Sequence, residues 1–281
     1  MYRDLEDGTR ADRNQSAPTG LERPGTLISK DHSHNHDEQR SAYELRDKDY
    51  RLNTLEKQML SDIGKFRAVE KADLLRSIYR GQQAAFDRDL RHLHRQNLIR
   101  IVGPKGSLTK YIALTKPAKQ LTEKHFRTDP RQEIYAGAVK LRELKHDAAL
   151  YRLYQKAASE IEQRGSRLVR VVLDYELKRN INRELAKTKD LSRQQQQQGI
   201  RETAEQQHLK VVGSKIPIPD LRIEYETPEG EREMCDLEYV TEHYRDRSIA
   251  EKRAAGFKLY GSEHRGHRPY GPDLVGGLIS L

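Results

Sequence analysis

The chain has 281 residues, of which 34% are charged and only 35% are hydrophobic, and its 52 lysines and arginines outnumber 43 acidic residues to give a formal net charge of +9. This composition excludes one large apolar core and favours local cores flanked by solvated segments, while the surplus of positive charge favours a polyanionic partner. The single cysteine, Cys235, excludes an internal disulfide and a cysteine-only zinc site, and no apolar run approaches the ~20 residues of a membrane span, so we expect a soluble, cytoplasmic protein without membrane association.

Residues 1 to 48 are predicted to form a disordered tail, because they show almost no apolar periodicity. Within this tail His32, His34 and His36 alternate, a spacing that could hold a metal on an extended backbone. A flexible polar patch is the favoured interpretation, since no scaffold fixes the geometry. Residues 262 to 281 are rich in Gly and Pro and are likewise predicted to form a tail.

Residues 50 to 126 carry the order of elements expected of a winged helix. Apolar residues at helical spacing predict a first helix from residue 55 to a cap at Gly64, a second helix from Val69 to Tyr79, and a third after the turn at Gly81. "LIRIVG" and "LTKYIALT" predict two strands around a turn, and "KPAKQLTEKHF" predicts a further helix. This order resembles winged-helix regulators of bacteria and mobile elements, so we expect a domain that binds double-stranded DNA.

In that arrangement the third helix would enter the major groove, and the wing would follow the adjacent phosphate backbone. The alternative is a winged helix used only for protein contacts, with its arginines forming a solvated face. The predicted DNA-contacting residues are polar or basic and lie on the third helix or the wing: Gln82, Gln83, Arg88, Arg91, Arg95, Lys105 and Lys110.

Residues 133 to 261 predict a second, α/β domain. Apolar spacing predicts a helix over residues 133 to 163 ending at Gly165, followed by a strand in "RLVRVVLDYELK". The Gln-rich segment 191 to 208 is interpreted as a surface loop or a polar helical extension. "KIPIPDLRIEYET" and "REMCDLEYVTE" predict paired strands around a turn at "PEGE", and "SIAEKRAAGFKLYGS" predicts a closing helix.

Acidic residues on these paired strands suggest a metal site. Asp220 begins the first strand, and alternation puts Asp236 and Glu238 on one face of the second. If pairing brings Asp220 beside them, carboxylates converge as Mg²⁺ or Mn²⁺ would require, and such an ion could act on a phosphodiester. The alternative is that these acids are ordinary polar faces of half-solvated strands.

The pattern of Pro219-Asp220 followed by an acidic strand resembles the restriction-endonuclease fold, in which PD precedes an acidic residue, any residue and Lys. Here Glu238 occupies the position of that lysine. Lys252 is predicted to replace it from the following helix, with Lys258 a poorer candidate, and Glu176 is a candidate additional acid on the preceding strand. The resemblance implies an α+β chain in which a winged helix-turn-helix precedes a restriction-endonuclease-like α/β domain.

Over residues 50 to 261 the chain also resembles the replication-relaxation family of plasmids and integrative elements, and mobilisation relaxases with a restriction-type domain. The residues that carry this resemblance are "LKHDAALYRL", "DYELKR", "IPDLRIEY", "CDLEYVTE" and "FKLY". It implies a protein that acts on plasmid or transposable DNA, nicking or relaxing it, with replication or conjugation proteins as further partners.

Two other functions remain open. One is a non-enzymatic regulator or accessory factor whose C-terminal domain mediates dimer or partner contacts. The other is a tyrosine-type relaxase, which ranks third because there is no compact His cluster inside a strand, and because His243 and Tyr244 are interpreted as surface residues. Winged-helix proteins often bind palindromes as homodimers, although nothing in this sequence fixes the oligomeric state.

Overall fold

The computed structural model describes residues 39–137, 140–241, 244–261 and 278–280. The histidines at positions 32, 34 and 36, most of the predicted N-terminal tail and residues 262–277 of the predicted C-terminal tail lie outside these ranges. The described chain mixes helices and sheets, which confirms the predicted α+β class. None of the described helices is both long and apolar enough to cross a membrane.

A β-hairpin occupies the end of the segment predicted to be a tail. Strands β1 (Ser41–Leu45) and β2 (Lys48–Leu52) pair in antiparallel fashion. Arg46 and Asp47, the two turn residues, have φ values of 50° and 59°, the conformation that a tight hairpin turn of this length prefers. The tail prediction is wrong for residues 41 to 48, because the hairpin they enter buries Tyr50 and Leu52 of β2 in the core, which offsets the entropy of ordering it.

The remaining N-terminal elements form a helical layer on a small antiparallel sheet. The sheet has the order β3-β5-β4, with β5 in the centre. A turn at Gly81, with φ +83°, separates the second and third helices as predicted. The elements in chain order are α1 (Thr54–Phe66), β3 (Val69–Glu70), α2 (Lys71–Ser77), α3 (Gln83–Arg95), β4 (Ile99–Val102), β5 (Tyr111–Leu114) and α4 (Lys116–His125).

Helix α1 does not end at Gly64 as predicted but continues to Phe66. Gly64 is instead a site of close packing, because a Cβ atom there would lie 2.8 Å from Ile134 Cγ2. Ile134 is buried against α1 and is not part of a helix. The helix predicted from residue 133 therefore begins only at Leu144. Val69 lies in β3 and not in the second helix.

The C-terminal half contains the larger sheet, in the order β6-β7-β8-β9-β10. Strands β6, β7 and β8 form an antiparallel meander, whereas β9 is parallel to both β8 and β10. The elements are α5 (Leu144–Gln163), β6 (Arg167–Leu173), α6 (Asp174–Ala186), α7 (Arg193–Gln206), β7 (Leu221–Glu226), β8 (Arg232–Val240), α8 (Asp246–Ala254), β9 (Lys258–Gly261) and β10 (Leu278–Ser280).

Three predicted boundaries in this half are wrong. The residues "DYELK" begin helix α6 and do not continue the strand, and "KLYG" forms strand β9 and not the end of a helix. Residues 278–280 of the predicted tail form β10. The Gln-rich segment forms helix α7. Of its two interpretations, the polar helical extension is therefore the correct one.

Helix α5 joins the two halves of the described chain into one compact unit. On one side its Tyr151 hydroxyl donates to Asp62 Oδ2 at 3.2 Å, and Arg152 Nη1 lies 2.8 Å from Asp73 Oδ2. On the other side α5 packs against β6, β7 and β8, where Leu221 and Leu237 are buried. A continuous core therefore crosses the predicted domain boundary between residues 126 and 133.

Candidate functional site

Asp220 and Glu238, the acids predicted on neighbouring strands, lie side by side at one end of the larger sheet. The register of β7 and β8 sets Leu221 opposite Leu237, so the preceding residue, Asp220, faces Glu238. The Asp220 backbone N–H donates to Glu238 Oε2 at 3.2 Å, and Asp220 Oδ2 accepts from the Tyr239 N–H at 3.0 Å. Hairpin pairing thus brings the two carboxyl groups into one cluster.

Lys252 of α8, predicted to replace the missing strand lysine, reaches the same cluster. Its Nζ lies 2.7 Å from Glu238 Oε1 and donates to the Ile218 carbonyl at 2.6 Å. The Tyr244 hydroxyl donates to the same Oε1 at 2.6 Å. The prediction that Tyr244 is a surface residue is therefore wrong, because its half-buried side chain is part of the cluster; His243 lies outside the described residues.

Asp174 and His146 border the carboxylate pair from two further elements. The Asp174 N–H donates to the Asp220 carbonyl at 3.2 Å, so α6 starts beside the site. His146 Nε2, in the first turn of α5, lies 3.8 Å from Asp220 Oδ1. Sequence analysis missed Asp174, although an acidic residue directly after an apolar strand was a signal that could have found it.

Burial controls the ionisation of this cluster. It raises the pKa of Asp220 to about 6, opposed by the hydrogen bond from the Tyr239 N–H and by the charge of Lys252. Burial also raises the pKa of Glu238, to which the charge of Asp220 adds and which Lys252 opposes. The pKa of His146 is lowered by burial, which favours its neutral form. Both carboxyl groups would therefore be stabilised in their ionised form by an additional cation.

The oxygen donors of Asp220 and Glu238 suit a hard divalent cation. Mg²⁺ in proteins is commonly held by one or two carboxylates, with waters and substrate phosphates completing its coordination. Within the described ranges no group of three or more His, Cys, Asp or Glu side chains is arranged to hold a metal ion. The described residues therefore do not form the three-carboxylate site that the sequence predicts, and only Asp220 and Glu238 of its three predicted ligands lie together.

Asp236, the third predicted ligand, is held apart from this pair by an arginine. Its Oδ1 and Oδ2 accept from Arg222 Nε at 2.6 Å and Nη2 at 2.9 Å. Alternation does place Asp236 on the face of Glu238, but the register sets it opposite Arg222, whose side chain is only 4% exposed. The ion pair with Arg222 occupies both carboxylate oxygens of Asp236, so the prediction that Asp236 joins Asp220 and Glu238 is wrong.

Two further candidates also lie elsewhere. Glu176 lies on α6 and not on a strand, and its Oε1 pairs with Arg170 at 2.9 Å. Lys258 is exposed at the start of β9. The register sets it beside Leu237, so it lies on the face of the sheet opposite to Glu238. Neither residue makes a contact with the carboxylate pair among the described interactions.

The outer face of α3 is basic, as predicted. Phe86, Leu90 and Leu93 are buried, whereas Arg91 and Arg95 are exposed and form no ion pair with the described residues.

The other predicted residues of α3 are more engaged. Arg88 Nε donates to Asp89 at 3.0 Å, and Gln83 donates to Asp87 at 2.6 Å. Gln82 is exposed at the N-cap. Arg91 and Arg95 are therefore the cations of this helix most available to a partner.

A buried polar network fixes the orientation of α3. Asp89 is fully buried and accepts from Arg40 at 2.9 Å, from Asn53 at 3.1 Å and from the Tyr79 hydroxyl at 3.2 Å. Because these partners come from the segment just before β1, the N-cap of α1 and the turn after α2, the network ties α3 to three other parts of the chain. Its outer face is thus presented on a rigid support.

The β4–β5 hairpin carries the two lysines that were predicted on the wing. Lys105 is exposed at its tip beside Gly106, whose φ of +77° allows the turn, and Lys110 is half-buried. Leu108 is 100% exposed in the same loop. The hairpin therefore combines cationic and apolar side chains at its end.

No family model matches the chain, and no curated protein and no solved structure is significantly similar to it.

Proposed function

We propose that this protein binds double-stranded DNA and cleaves a phosphodiester bond with the help of a divalent metal ion, as a nickase would. The observation that carries the proposal is the convergence of Asp220, Glu238 and Lys252 from three separate elements. Two carboxylates and a lysine in one cluster are the groups that metal-assisted phosphodiester cleavage uses.

The N-terminal half supports DNA binding through its order of elements. Helix α1, strand β3, two helices separated by a short turn, and a two-stranded hairpin follow one another, with all three strands in one sheet. This order supports the proposal of a winged helix, in which the third helix would enter the major groove. The exposed Arg91 and Arg95 would contact bases or phosphates there, and Lys105 would contact the neighbouring backbone.

The C-terminal half supports a restriction-endonuclease-like domain. Helix α5, strand β6, helices α6 and α7, strands β7 and β8, helix α8 and the parallel strand β9 follow one another, and β6, β7 and β8 form an antiparallel meander. The acidic residues lie at the β7–β8 pair, and Lys252 comes from the helix after the meander, which supports the interpretation that the lysine has moved from the strand.

In the proposed reaction Asp220 and Glu238 would hold the ion at the end of the sheet. A bound Mg²⁺ or Mn²⁺ supplies charge stabilisation for a phosphoryl oxygen and lowers the pKa of a coordinated water. Lys252, held by the Ile218 carbonyl, would place a positive charge beside the carboxylate pair, where a scissile phosphate would approach the more exposed Asp220. The Tyr244 hydroxyl would orient the Glu238 carboxylate through its hydrogen bond.

A role in plasmid or mobile-element replication or mobilisation is the biological setting that we propose for this chemistry. Four of the segments that carry the family resemblance border one site: His146 lies in the first, Asp174 in the second, and Asp220 and Glu238 in the third and fourth. Their clustering supports the view that the resemblance reflects a shared site.

A second candidate is a non-enzymatic DNA-binding protein in which the cluster is structural. This function is favoured by the saturation of Glu238, whose oxygens accept from the Asp220 N–H, Tyr244 and Lys252. Two cavities, of about 670 and 770 Å³, also lie away from the carboxylate pair. In this function the Lys252–Glu238 ion pair would stabilise the packing of α8 against β8 and the start of β7.

A plasmid-nicking assay separates the two functions. Purified protein is incubated with supercoiled plasmid and Mg²⁺ or Mn²⁺, with EDTA as the metal-free control. The proposal predicts metal-dependent conversion to the open circular form by the parent and not by Asp220→Asn. Binding of duplex DNA without nicking under any of these conditions would favour the structural function.

A further inference from the structure

Helices α6 and α7 form a hairpin inserted between β6 and β7, the two strands that lead to the carboxylate site. Asp174, the first residue of α6, donates its N–H to the Asp220 carbonyl at 3.2 Å. One turn later Lys178 contacts the Asp174 carboxylate, and its charge opposes the burial that raises the pKa of Asp220. The hairpin therefore starts at the site and extends outward from it.

The hairpin carries much of the positive charge of the chain. Between residues 178 and 201 there are seven basic and two acidic residues, a net charge of +5 out of the +9 of the whole chain. The basic residues are Lys178, Arg179, Arg183, Lys187, Lys189, Arg193 and Arg201. Such a density of one sign in a short segment favours a polyanionic partner.

Three of these cations have no acidic partner in the part of the chain that the structure describes. Lys189, Arg193 and Arg201 are exposed and form no described ion pair, whereas Lys187 pairs with Glu184 and Arg179 with Glu133. A phosphate backbone could therefore contact the three without first breaking an internal salt bridge.

Helix α7 is also unusually polar for a helix in a folded protein. Only Gly199, Thr203 and Ala204 are buried, and a Cβ at position 199 would lie 2.7 Å from Thr188 Cγ2, so α7 packs closely on the turn after α6 through its smallest residue. The five consecutive glutamines, residues 194 to 198, lie at the surface of the helix. A helix that is polar nearly all round has no apolar face to bury, which suits a polar ligand surface better than a protein core.

We propose that the α6–α7 hairpin is a second DNA-binding surface, separate from α3, whose far end holds the phosphate backbone of the substrate roughly 20 Å from the carboxylate site, about the length of α6. The inference rests on the proposed function for the identity of the substrate, and it assigns the Gln-rich insertion a specific role. Lys189, Arg193 and Arg201 would contact phosphates, and the exposed glutamine amides would donate to phosphate or sugar oxygens. The surface would position DNA without reading its sequence.

The test is the salt dependence of duplex binding by the full-length variant Lys189→Gln/Arg193→Gln/Arg201→Gln. Each lost phosphate contact lowers the magnitude of the slope of log affinity against log salt by about 0.9. We expect the slope to fall by between about 2 and 3, and the affinity at about 0.1 M salt to fall at least tenfold. The control Lys124→Gln/Arg127→Gln/Arg164→Gln removes the same charge from exposed positions elsewhere and should leave the slope almost unchanged.

A second measurement locates the DNA. A chelated iron attached at Gln197→Cys generates local radicals, and we expect it to cut bound DNA close to the position that the parent nicks.

Failure of the hairpin inference and failure of the proposed function give different results. If the hairpin variant binds with the affinity and slope of the parent, or loses no more than the control, the hairpin is not a DNA surface, although the parent would still nick plasmid. If the parent binds DNA with a hairpin-dependent slope but never nicks it, the hairpin inference stands and the enzymatic proposal fails. If the parent does not bind duplex DNA, both are overturned.

Discussion

The Nζ atom of Lys252 lies 2.7 Å from Glu238 Oε1, and the Glu238 side chain is completely buried. The lysine comes from α8 and the glutamate from β8, the middle strand of the sheet, so this contact links two elements at the site. Because burial and the neighbouring Asp220 raise the pKa of Glu238, the charge of Lys252 is what favours its ionised form. The pair is therefore important both for the fold and for the proposed chemistry.

Removal of Lys252 alone should destabilise the protein. Lys252→Met leaves a buried carboxylate without its cation, and breaking a buried pair in this way costs about 3 kcal/mol or more. The double variant Lys252→Met/Glu238→Gln removes both charges and should recover most of that loss, as measured by urea unfolding. Equal destabilisation in the single and double variants would mean that charge compensation is not what the contact provides.

Asp147 should make stability depend on pH. Burial raises its pKa to about 7, opposed by Arg67, whose Nη1 lies 3.7 Å away, and Asp147 Oδ2 has no partner within the described structure. The unfolded chain releases this proton near about pH 4. The folded chain keeps the proton up to about pH 7, so stability is greatest below the lower value and is lost as the pH rises through the higher one.

Asp147→Asn removes this dependence, because an amide carries no charge at either pH. Relative to the parent, the variant should gain stability progressively between pH 4 and 7, a window set by the ordinary pKa of about 4 and the raised pKa of about 7. Thermal unfolding across this range measures the difference, with Asp190→Asn as a control at an exposed position. Parallel pH profiles for Asp147→Asn and the parent would contradict the assignment.

The exposed arginines of α3 should determine much of the affinity for duplex DNA. Arg91→Ala/Arg95→Ala removes two candidate phosphate or base contacts, which at about 0.1 M salt should lower the affinity at least tenfold. Fluorescence anisotropy at matched salt measures this, and Lys124→Ala/Arg164→Ala is the control of equal charge. Retention of the parent's affinity by the α3 variant would argue against the winged-helix binding mode.

Local patterns in the sequence were sufficient for much of the N-terminal half. The apolar faces of α1 and α3 recur at helical spacing, so Met59, Phe86 and Leu93 could be placed in the core without knowledge of their partners. The β1–β2 hairpin could not be found in this way. Its sequence is mostly charged, and only the packing of Tyr50 and Leu52 on later elements shows that it is ordered.

The sequence predicted those residues of the candidate site whose position follows from alternation along a strand. It did not predict the contacts that depend on which residues stand opposite each other in the sheet. Asp220 and Glu238 follow from paired strands, but the capture of Asp236 by Arg222 depends on which residues stand opposite each other. Tyr244 enters the cluster only through the path of the chain between β8 and α8. The start of α5 was mispredicted because Ile134, apolar and correctly spaced, packs beside Gly64 and not in the helix.

The most direct test of the proposed function is the single-turnover rate at which Asp220→Asn nicks supercoiled plasmid in Mg²⁺, relative to the parent. Loss of one of the two proposed carboxylate ligands should lower this rate by roughly 100-fold or more, while the control Glu229→Gln, at an exposed position in the β7–β8 turn at the other end of the sheet, should be unaffected. Circular dichroism and thermal unfolding establish that the variant is folded, and DNA affinity should remain near that of the parent. A folded Asp220→Asn variant that nicks as fast as the parent would contradict the assignment of this cluster as the active site.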